Sequence, residues 1–294
     1  MQTVTVFLMT STYLSRIPSP PLDRYIERFF YMEGWMPTRH EKIPPIPALN
    51  LQINLGDPFH MVHSDRAASV INLTKSWLGG LYGVHHSVDW ASYLRLYGVR
   101  FKPNGAHPFL SFPLSELYNQ VVPLDTVWGR WADELRERLH AAPTIEVGLS
   151  LFEQLLRARL RETPRTTDEQ HIVEYAIAAM RQTHGTVSIR GLSAQIGISQ
   201  NHLGTLFKRL VGTSAKELAR LYRFEHVLLS VAHTHPVDWT QIAQQCGYYD
   251  LSHLNKDFVT FTGDSPSDYL TLHRRVSAGD VLLDPLALCT IPTD

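Results

Sequence analysis

At 294 residues and 33.5 kDa the chain is about twice a typical domain, which predicts two folded units rather than one small module. A composition that is 44% hydrophobic and 19% charged supports a packed core and excludes wholesale disorder. The 27 Lys and Arg nearly cancel the 28 Asp and Glu, and this net charge of −1 argues against a general polyanion binder, while two cysteines are too few for a disulfide scaffold or a Cys-based zinc site.

The first ten residues are mildly apolar, but no basic residue precedes Arg16 and threonines break the run, so a secretory leader is not expected. No apolar stretch approaches the ~18 to 20 residues of a membrane span. The expected location is the cytoplasm, with no membrane partner. Residues 1–19 read as an N-terminal extension. From there to about Trp131, short apolar runs are punctuated by Pro and Gly. Leu49 to Leu55 alternates in period two, and Trp77 to Gly83 and Tyr93 to Phe101 carry apolar and aromatic residues between turn signals, so all three predict strands. Leu22 to Tyr31, apolar at 22, 25, 26, 29 and 30, predicts a helix, and Leu114 to Asn119 a short helical turn.

Beyond Trp128 the period changes. Trp131, Leu135 and Leu139, then Ile145, Leu149, Phe152 and Leu156, mark two amphipathic helices separated at Ala141-Ala-Pro143. The second stripe fits either a dimer seam or packing on the protein's own β-rich part. Polar residues from Arg161 to Thr167 read as a linker, placed at 163–167. Asp168 to Arg275 is helical in pattern throughout, and 276–294 is a tail with no predicted structure. The expected fold is therefore α+β and multidomain. A β-rich N-terminal domain (20–162) ends in a helical connector, and an all-α C-terminal domain (168–275) follows.

The helical part contains a degenerate repeat. Leu192-Ser-Ala-Gln-Ile-Gly197 aligns with Ile242-Ala-Gln-Gln-Cys-Gly247 at an offset of 50, and beyond the turn Leu203, Phe207, Gly212 and Ser214 answer to Leu254, Phe258, Gly263 and Ser265 at 51. Ser188 and Asp238 are placed to cap the first helix of each unit, Gly197 and Gly247 to end it, and Ser199 and Asp250 to cap the second. Helix, glycine turn, helix, occurring twice, predicts two helix-turn-helix units joined by a helix over Ser214 to Ala232, suited to successive major grooves on one DNA face. With Leu203, Leu206, Phe207, Leu254 and Phe258 facing inward, the outward residues of the second helices are the candidate base readers. These are Gln200, Asn201 and Thr205, beside Gly204, in the first unit, and Leu251, Ser252, His253, Asn255 and Lys256 in the second. Their amide, amine, imidazole and methyl-packing groups match base edges. Lys208, Arg209, Lys216, Arg220 and Arg223 are the candidates for phosphate contacts.

These residues resemble the AraC/XylS family of bacterial transcription regulators. The match rests on Leu192 to Ser199, His202-Leu-x-x-Leu-Phe-Lys208, Gly212, Arg223, Ile242-Ala-x-x-Cys-Gly-Tyr248, Leu254-x-x-x-Phe258 and Gly263-x-Ser-Pro-x-x-Tyr269. Pro21-Leu-x-x-Tyr-Ile26, Asn54 to Asp57, Gly98-Val-Arg-Phe-Lys-Pro-x-Gly105, Val122 to Asp125 and Trp128-Gly129 similarly resemble the β-rich N-terminal domain of one subgroup. The resemblance implies a seven-helix DNA-binding domain and a sequence-specific regulator of promoter DNA. From the two-domain layout, the N-terminal domain is expected to sense a small-molecule effector or to mediate homodimerisation, with RNA polymerase as a further candidate partner. The chain departs from the family at Asp257 and Val259, where basic residues usually flank the anchor, and at Leu270 and Gly204.

Against this stands a metal-dependent, cupin-like β-barrel enzyme fused to a DNA-binding module, with His60, His63, His85, His86 and His107 as ligands near Asp57, Asp65 and Asp89. The paired-histidine pattern of that class is absent, and no nucleophile elbow or phosphate loop occurs. No enzyme activity, metal or cofactor is expected. Cys246 reads as a buried structural thiol. The helical part itself holds ten Lys and Arg, ten Asp and Glu and eight histidines. The sequence thus predicts modest non-specific DNA affinity, a shallow salt dependence and tighter binding as pH falls toward 6.

Overall fold

The computed structural model describes residues 3–8, 11–35, 40–63, 70–90, 93–161, 167–232 and 236–277. Its strands are β1 (Thr3–Leu8), β2 (Ser11–Arg16), β3 (Ile26–Trp35), β4 (His40–Ile43), β5 (Leu49–Asn54), β6 (Phe59–His63), β7 (Val70–Leu73), β8 (Ser76–Gly79), β9 (His86–Asp89), β10 (Tyr93–Phe101) and β11 (Val121–Pro123). Helices follow: α1 (Leu124–Trp128), α2 (Arg130–His140), α3 (Ile145–Arg161), α4 (Asp168–Gln182), α5 (Ile189–Ile196), α6 (Gln200–Leu210), α7 (Ala215–Ala232), α8 (Trp239–Gln245), α9 (Leu251–Thr262) and α10 (Pro266–Ser277).

The strands form an antiparallel seven-stranded sheet, ordered β1-β2-β3-β10-β5-β8-β11, and a four-stranded sheet, β4-β9-β6-β7. One face of the large sheet meets the small sheet through Phe30, Met32, Phe59, Met61, Trp77 and Leu96. Its other face meets the helices, with Phe29 against Phe152 at 5.6 Å.

That layering corrects the helix expected over Leu22 to Tyr31. Only Leu22–Arg24 makes a 3-10 turn, capped by Tyr25, and from Ile26 onward the segment is central strand β3. Because β3 is covered on both sides, Phe29 and Tyr31 fill one core while Phe30 and Met32 fill the other. No polar face remains to display period two. Thr3–Leu8 and Ser11–Arg16, which fall in the stretch read as an extension, pair with each other as β1 and β2, and β2 pairs onto β3 from Ser11↔Gly34 to Arg16↔Phe29. Leu114–Leu117 is a 3-10 turn as expected, and α2 and α3 sit where the helical period placed them. Leu149, Phe152 and Leu156 are fully buried in the protein's own core, which settles the α3 stripe as intramolecular packing.

Thr167, placed at the end of the linker, is the N-cap of α4, accepting from the Gln170 amide and donating its own amide to Gln170 Oε1. Residues 163–166, the rest of that linker, and residues 278–294 of the tail lie outside the described residues. The main core does not stop at the linker. It runs from the large sheet through α2 and α3 into Val173, Met180, Leu192, Leu203, Phe207 and Leu218. A separate cluster, including Phe224, Ile242, Leu254, Phe258, Phe261 and Tyr269, holds the C-terminal part of α7 to α8, α9 and α10.

Candidate functional site

Helices α4 to α10 build the two expected helix-turn-helix units. In the first, Ser188 Oγ accepts from the Gly191 amide at 3.2 Å, Gly197 turns the chain at φ 83°, and Ser199 Oγ accepts from the His202 amide at 3.1 Å. In the second, Asp238 Oδ1 accepts from Thr240 and Gln241 at 2.9 and 3.1 Å, and Asp250 Oδ1 accepts from His253 at 2.7 Å. The left-handed turn at Gly197 is open to glycine at little cost, so the chain reverses there without strain. Leu203, Leu206 and Phe207, and in the second unit Leu254 and Phe258, are buried and fix which face of each second helix turns outward.

On α6 the outward residues Gln200, Asn201, Thr205 and Lys208 are exposed, and the Thr205 hydroxyl donates back to the Asn201 carbonyl at 3.1 Å. Open space surrounds Gly204. On α9, Ser252, His253, Asn255 and Lys256 are exposed, with the His253 ring edge-on to Tyr248 at 5.2 Å, whereas Leu251 is half-buried against the second core. Tyr249, just ahead of α9, is 92% exposed and went unremarked in the sequence, where nothing separates it from its buried neighbour Tyr248.

The phosphate candidates divide. Lys208 and Lys216 are exposed, and no ion pair joins them to another described residue. The arginines are engaged inside the protein. Arg209 pairs with Glu169. Arg220 donates to Asp257 at 2.6 Å and to Glu217 at 2.7 Å, and lies over the Phe261 ring. Arg223 lies over Tyr248 and donates to the Gly185 carbonyl at 3.2 Å. Counting charges along a sequence does not reveal partners: Asp257 is buried beside the Phe258 anchor and holds Arg220 onto α9. The same pairing accounts for a charge-balanced helical domain. Glu169, Glu217 and Asp257 are engaged in ion pairs with arginines and Asp238 and Asp250 in helix caps, while lysines on α6, α7 and α9 are exposed.

A second feature lies between the sheets. A cavity of 140 Å³ is walled by aromatic and aliphatic side chains, among them Phe59, Trp77, Tyr82 and Trp90. Asn50 and Gln52, whose alternation with Leu49, Leu51 and Ile53 suggests a solvent face, line it instead, together with Arg100 and His86.

One wall of this cavity is the strand pair β4–β9, in register Ile43↔His86 and Lys42↔Ser87. Alternation sends Ile43 and His86 toward the cavity. Their chain neighbours Lys42 and His85 face the second helix-turn-helix unit. Lys42 Nζ donates to Asp264 at 2.8 Å, and a side chain on Gly263, which has φ 76°, would sit 2.7 Å from His85 Nε2. Burial pulls the His85 pKa down, opposed by a hydrogen bond with the Thr260 backbone. The first unit is held differently, by the apolar seam between α6 and Leu114 and Leu117. Arg24 adds a bidentate pair to Glu174 on α4, at 2.8 and 2.6 Å. His107 is half-buried nearby, its pKa lowered by burial and then by Arg209. Glu225 of α7 is pushed up to about 7 by burial and by the Glu27 carboxylate.

The histidines considered as metal ligands are thus dispersed. His60 is exposed, His85 meets the second unit, His86 lines the cavity and His107 sits near α6, while the His63 side chain lies outside the described residues. Among the described residues, no group of three or more His, Cys, Asp or Glu is placed to hold a metal. Cys246 is buried, with its pKa raised by desolvation. Among the described residues, no helix is long and apolar enough to cross a membrane.

Comparison with known proteins places a helix-turn-helix domain at residues 192–271 and a domain of unknown function (DUF6597) at 15–123. The lactose operon transcription activator of Staphylococcus xylosus is 30% identical over 102 residues, 35% of each chain, so the match spans about a third of that relative's length. Among solved structures, ToxT of Vibrio cholerae aligns over 89% of this chain and 98% of its own, with 11% identity and a TM-score of 0.47. The xylose-binding transcription activator XylR aligns over 43% of this chain and 38% of its own, with 19% identity and a TM-score of 0.31.

Proposed function

We propose that the protein is a sequence-specific regulator of transcription of the AraC/XylS type, a reading that the helix-turn-helix match at residues 192–271 and the likeness to a transcription activator support. In this reading α6 and α9 enter two major grooves of one duplex. The observation that carries it is the pair of capped units on a single helix, each presenting a polar, exposed face. Helix α7 is about 27 Å long at 1.5 Å per residue, and so joins the two units at a set spacing. Gln200, Asn201, Thr205, Ser252, His253, Asn255 and Lys256 are assigned to bases, Leu251 to a thymine methyl through whatever edge it leaves exposed, and Lys208 and Lys216 to phosphates.

The inter-sheet cavity is the proposed effector site. Occupancy would be read through β4 and β9, because any shift of Ile43 or His86 displaces Lys42 and His85 on the opposite side. RNA polymerase is the proposed protein partner at the promoter, in the cytoplasm where that DNA lies. A homodimer would have to use a surface other than the buried α3 stripe.

Selection of bound duplexes from a random pool tests the reading. A two-part motif with centres about one helical turn apart is expected, with Asn201→Ala and Asn255→Ala each relaxing one part by ~1–3 kcal/mol per base. A pool that shows no enriched motif would sink it.

A further inference from the structure

The two helix-turn-helix units differ in length by one residue at the turn, and their hydrogen bonds show which residue is the extra one. In the first turn the amides of Gly197 and Ile198 donate back to the carbonyls of Ala194 and Ser193, at 3.2 and 3.1 Å. In the second, those of Gly247 and Tyr248 donate to Gln244 and Ala243, at 3.1 and 2.9 Å. These bonds correspond at an offset of 50. The caps of the following helices, Ser199 on the His202 amide and Asp250 on the His253 amide, correspond at 51. The register therefore slips between Tyr248 and Asp250, and Tyr249 has no equivalent in the first unit. Tyr248 is buried in the second core, the inward place that Ile198 holds in the first turn. Tyr249 is 92% exposed, and no described residue hydrogen-bonds to its side chain or stacks on it.

A single exposed aromatic ring is ordinary on a protein surface. The position of this one carries the weight. In a helix-turn-helix the first helix crosses the DNA backbone and the second enters the major groove, so the turn from α8 to α9 lies at the groove's edge, where the phosphates run. The Asp250 carboxylate beside it is turned back onto the His253 amide at 2.7 Å. No lysine or arginine lies in the first turn of α9, Leu251 has no donor, and Ser252 and His253 are assigned to bases. The Tyr249 phenol is the long, neutral donor left for a backbone oxygen, and tyrosine hydroxyls serve that purpose. We propose that Tyr249 contacts DNA, its phenol O–H donated to a phosphate at the edge of the groove that α9 enters. The contact fixes the seating of the second unit and has no counterpart in the first.

This deepens the regulator reading given above and rests on it. The full chain is titrated onto the duplex recovered by selection, and onto duplexes in which single phosphates beside the part relaxed by Asn255→Ala are replaced by uncharged methylphosphonates. Tyr249→Phe, which removes only the hydroxyl, should weaken binding about fivefold, alike on every sequence variant of the site. A neutral donor displaces no counterion, so the salt slope should stay that of the wild type. At one position the methylphosphonate should cost the wild type about fivefold more than it costs Tyr249→Phe, because both changes remove the same bond. With the side chain so exposed, the variant should melt with the wild type. Unchanged affinity of Tyr249→Phe, a loss confined to one base pair, or methylphosphonate penalties equal in the two proteins at every position would overturn the proposal. Those results leave the selected motif, and with it the regulator reading, intact, whereas a wild type that enriches no motif overturns both.

Discussion

The two helix-turn-helix units share their caps, glycine turns and apolar anchors, yet they are fastened to the rest of the molecule in different ways. The core of the first is continuous with the β-rich part: Leu203, Leu206, Phe207 and Leu210 belong to the cluster that also contains Phe29, Leu51 and Val99. The second has its own core and touches the small sheet through Lys42, His85 and the turn at Gly263 and Asp264. Apolar burial is strong and insensitive to charge, whereas a partly exposed ion pair is weak and responds to salt and pH. The contrast teaches that, on the proposed effector reading, a signal from the cavity would have its movable target in the second unit, which the β4–β9 wall touches, with the first as a fixed base.

Truncating the two anchors breaks the comparison most sharply. Phe207→Ala and Phe258→Ala should each cost ~3–5 kcal/mol, as deletion of a buried phenylalanine does. By calorimetry and near-UV circular dichroism, Phe207→Ala is expected to lower the melting of the β-rich part together with the helices. Phe258→Ala should add an early transition confined to the second unit. Next in size is Arg220→Met, which leaves the buried Asp257 carboxylate without its guanidinium and is expected to cost about 3 kcal/mol, with Asp257→Asn in the same chain recovering part of the loss. Lys42→Ala removes a pair whose lysine is 39% exposed. Its effect on stability should stay within about 1 kcal/mol, but it should raise amide exchange in α9 and leave α6 unchanged.

Acidification is the mildest perturbation. His85 and His107 both have pKa values lowered by burial against the helical part. Above the unperturbed value of ~6.5 they are neutral whether docked or not. As pH falls below it, the undocked state takes up protons first, so docking is expected to weaken with falling pH, with no change at alkaline pH. A pH series of tryptic cleavage between the two parts checks the sign. The simpler expectation that the histidines of the helical part tighten DNA binding toward pH 6 is narrowed for the same reason, since burial also lowers the pKa of His226.

Much of this was legible in the sequence because local chemistry decided it. Ser188, Ser199, Asp238 and Asp250 cap the helices they precede, and Gly197 adopts the left-handed turn. Strand β3 was not legible, since burial on both faces erases the period that identifies a half-buried strand. The cavity was hidden for a related reason. Asn50 and Gln52 carry the polar half of an alternating pattern that ordinarily faces water, and only the pairing of β5 with β10, together with the small sheet above, reveals an interior. The engaged arginines escaped because Arg220 and Asp257 lie 37 residues apart, and such pairings are decided by tertiary packing.

Native-state hydrogen exchange on the full chain tests the unequal fastening of the two units most directly. The structure predicts that amides of α8, α9 and α10 exchange through an opening that leaves α5 and α6 as protected as β3 and β10. If α5 and α6 instead open together with α8, α9 and α10 while the sheets stay closed, the helical part is one independent domain and the account is contradicted.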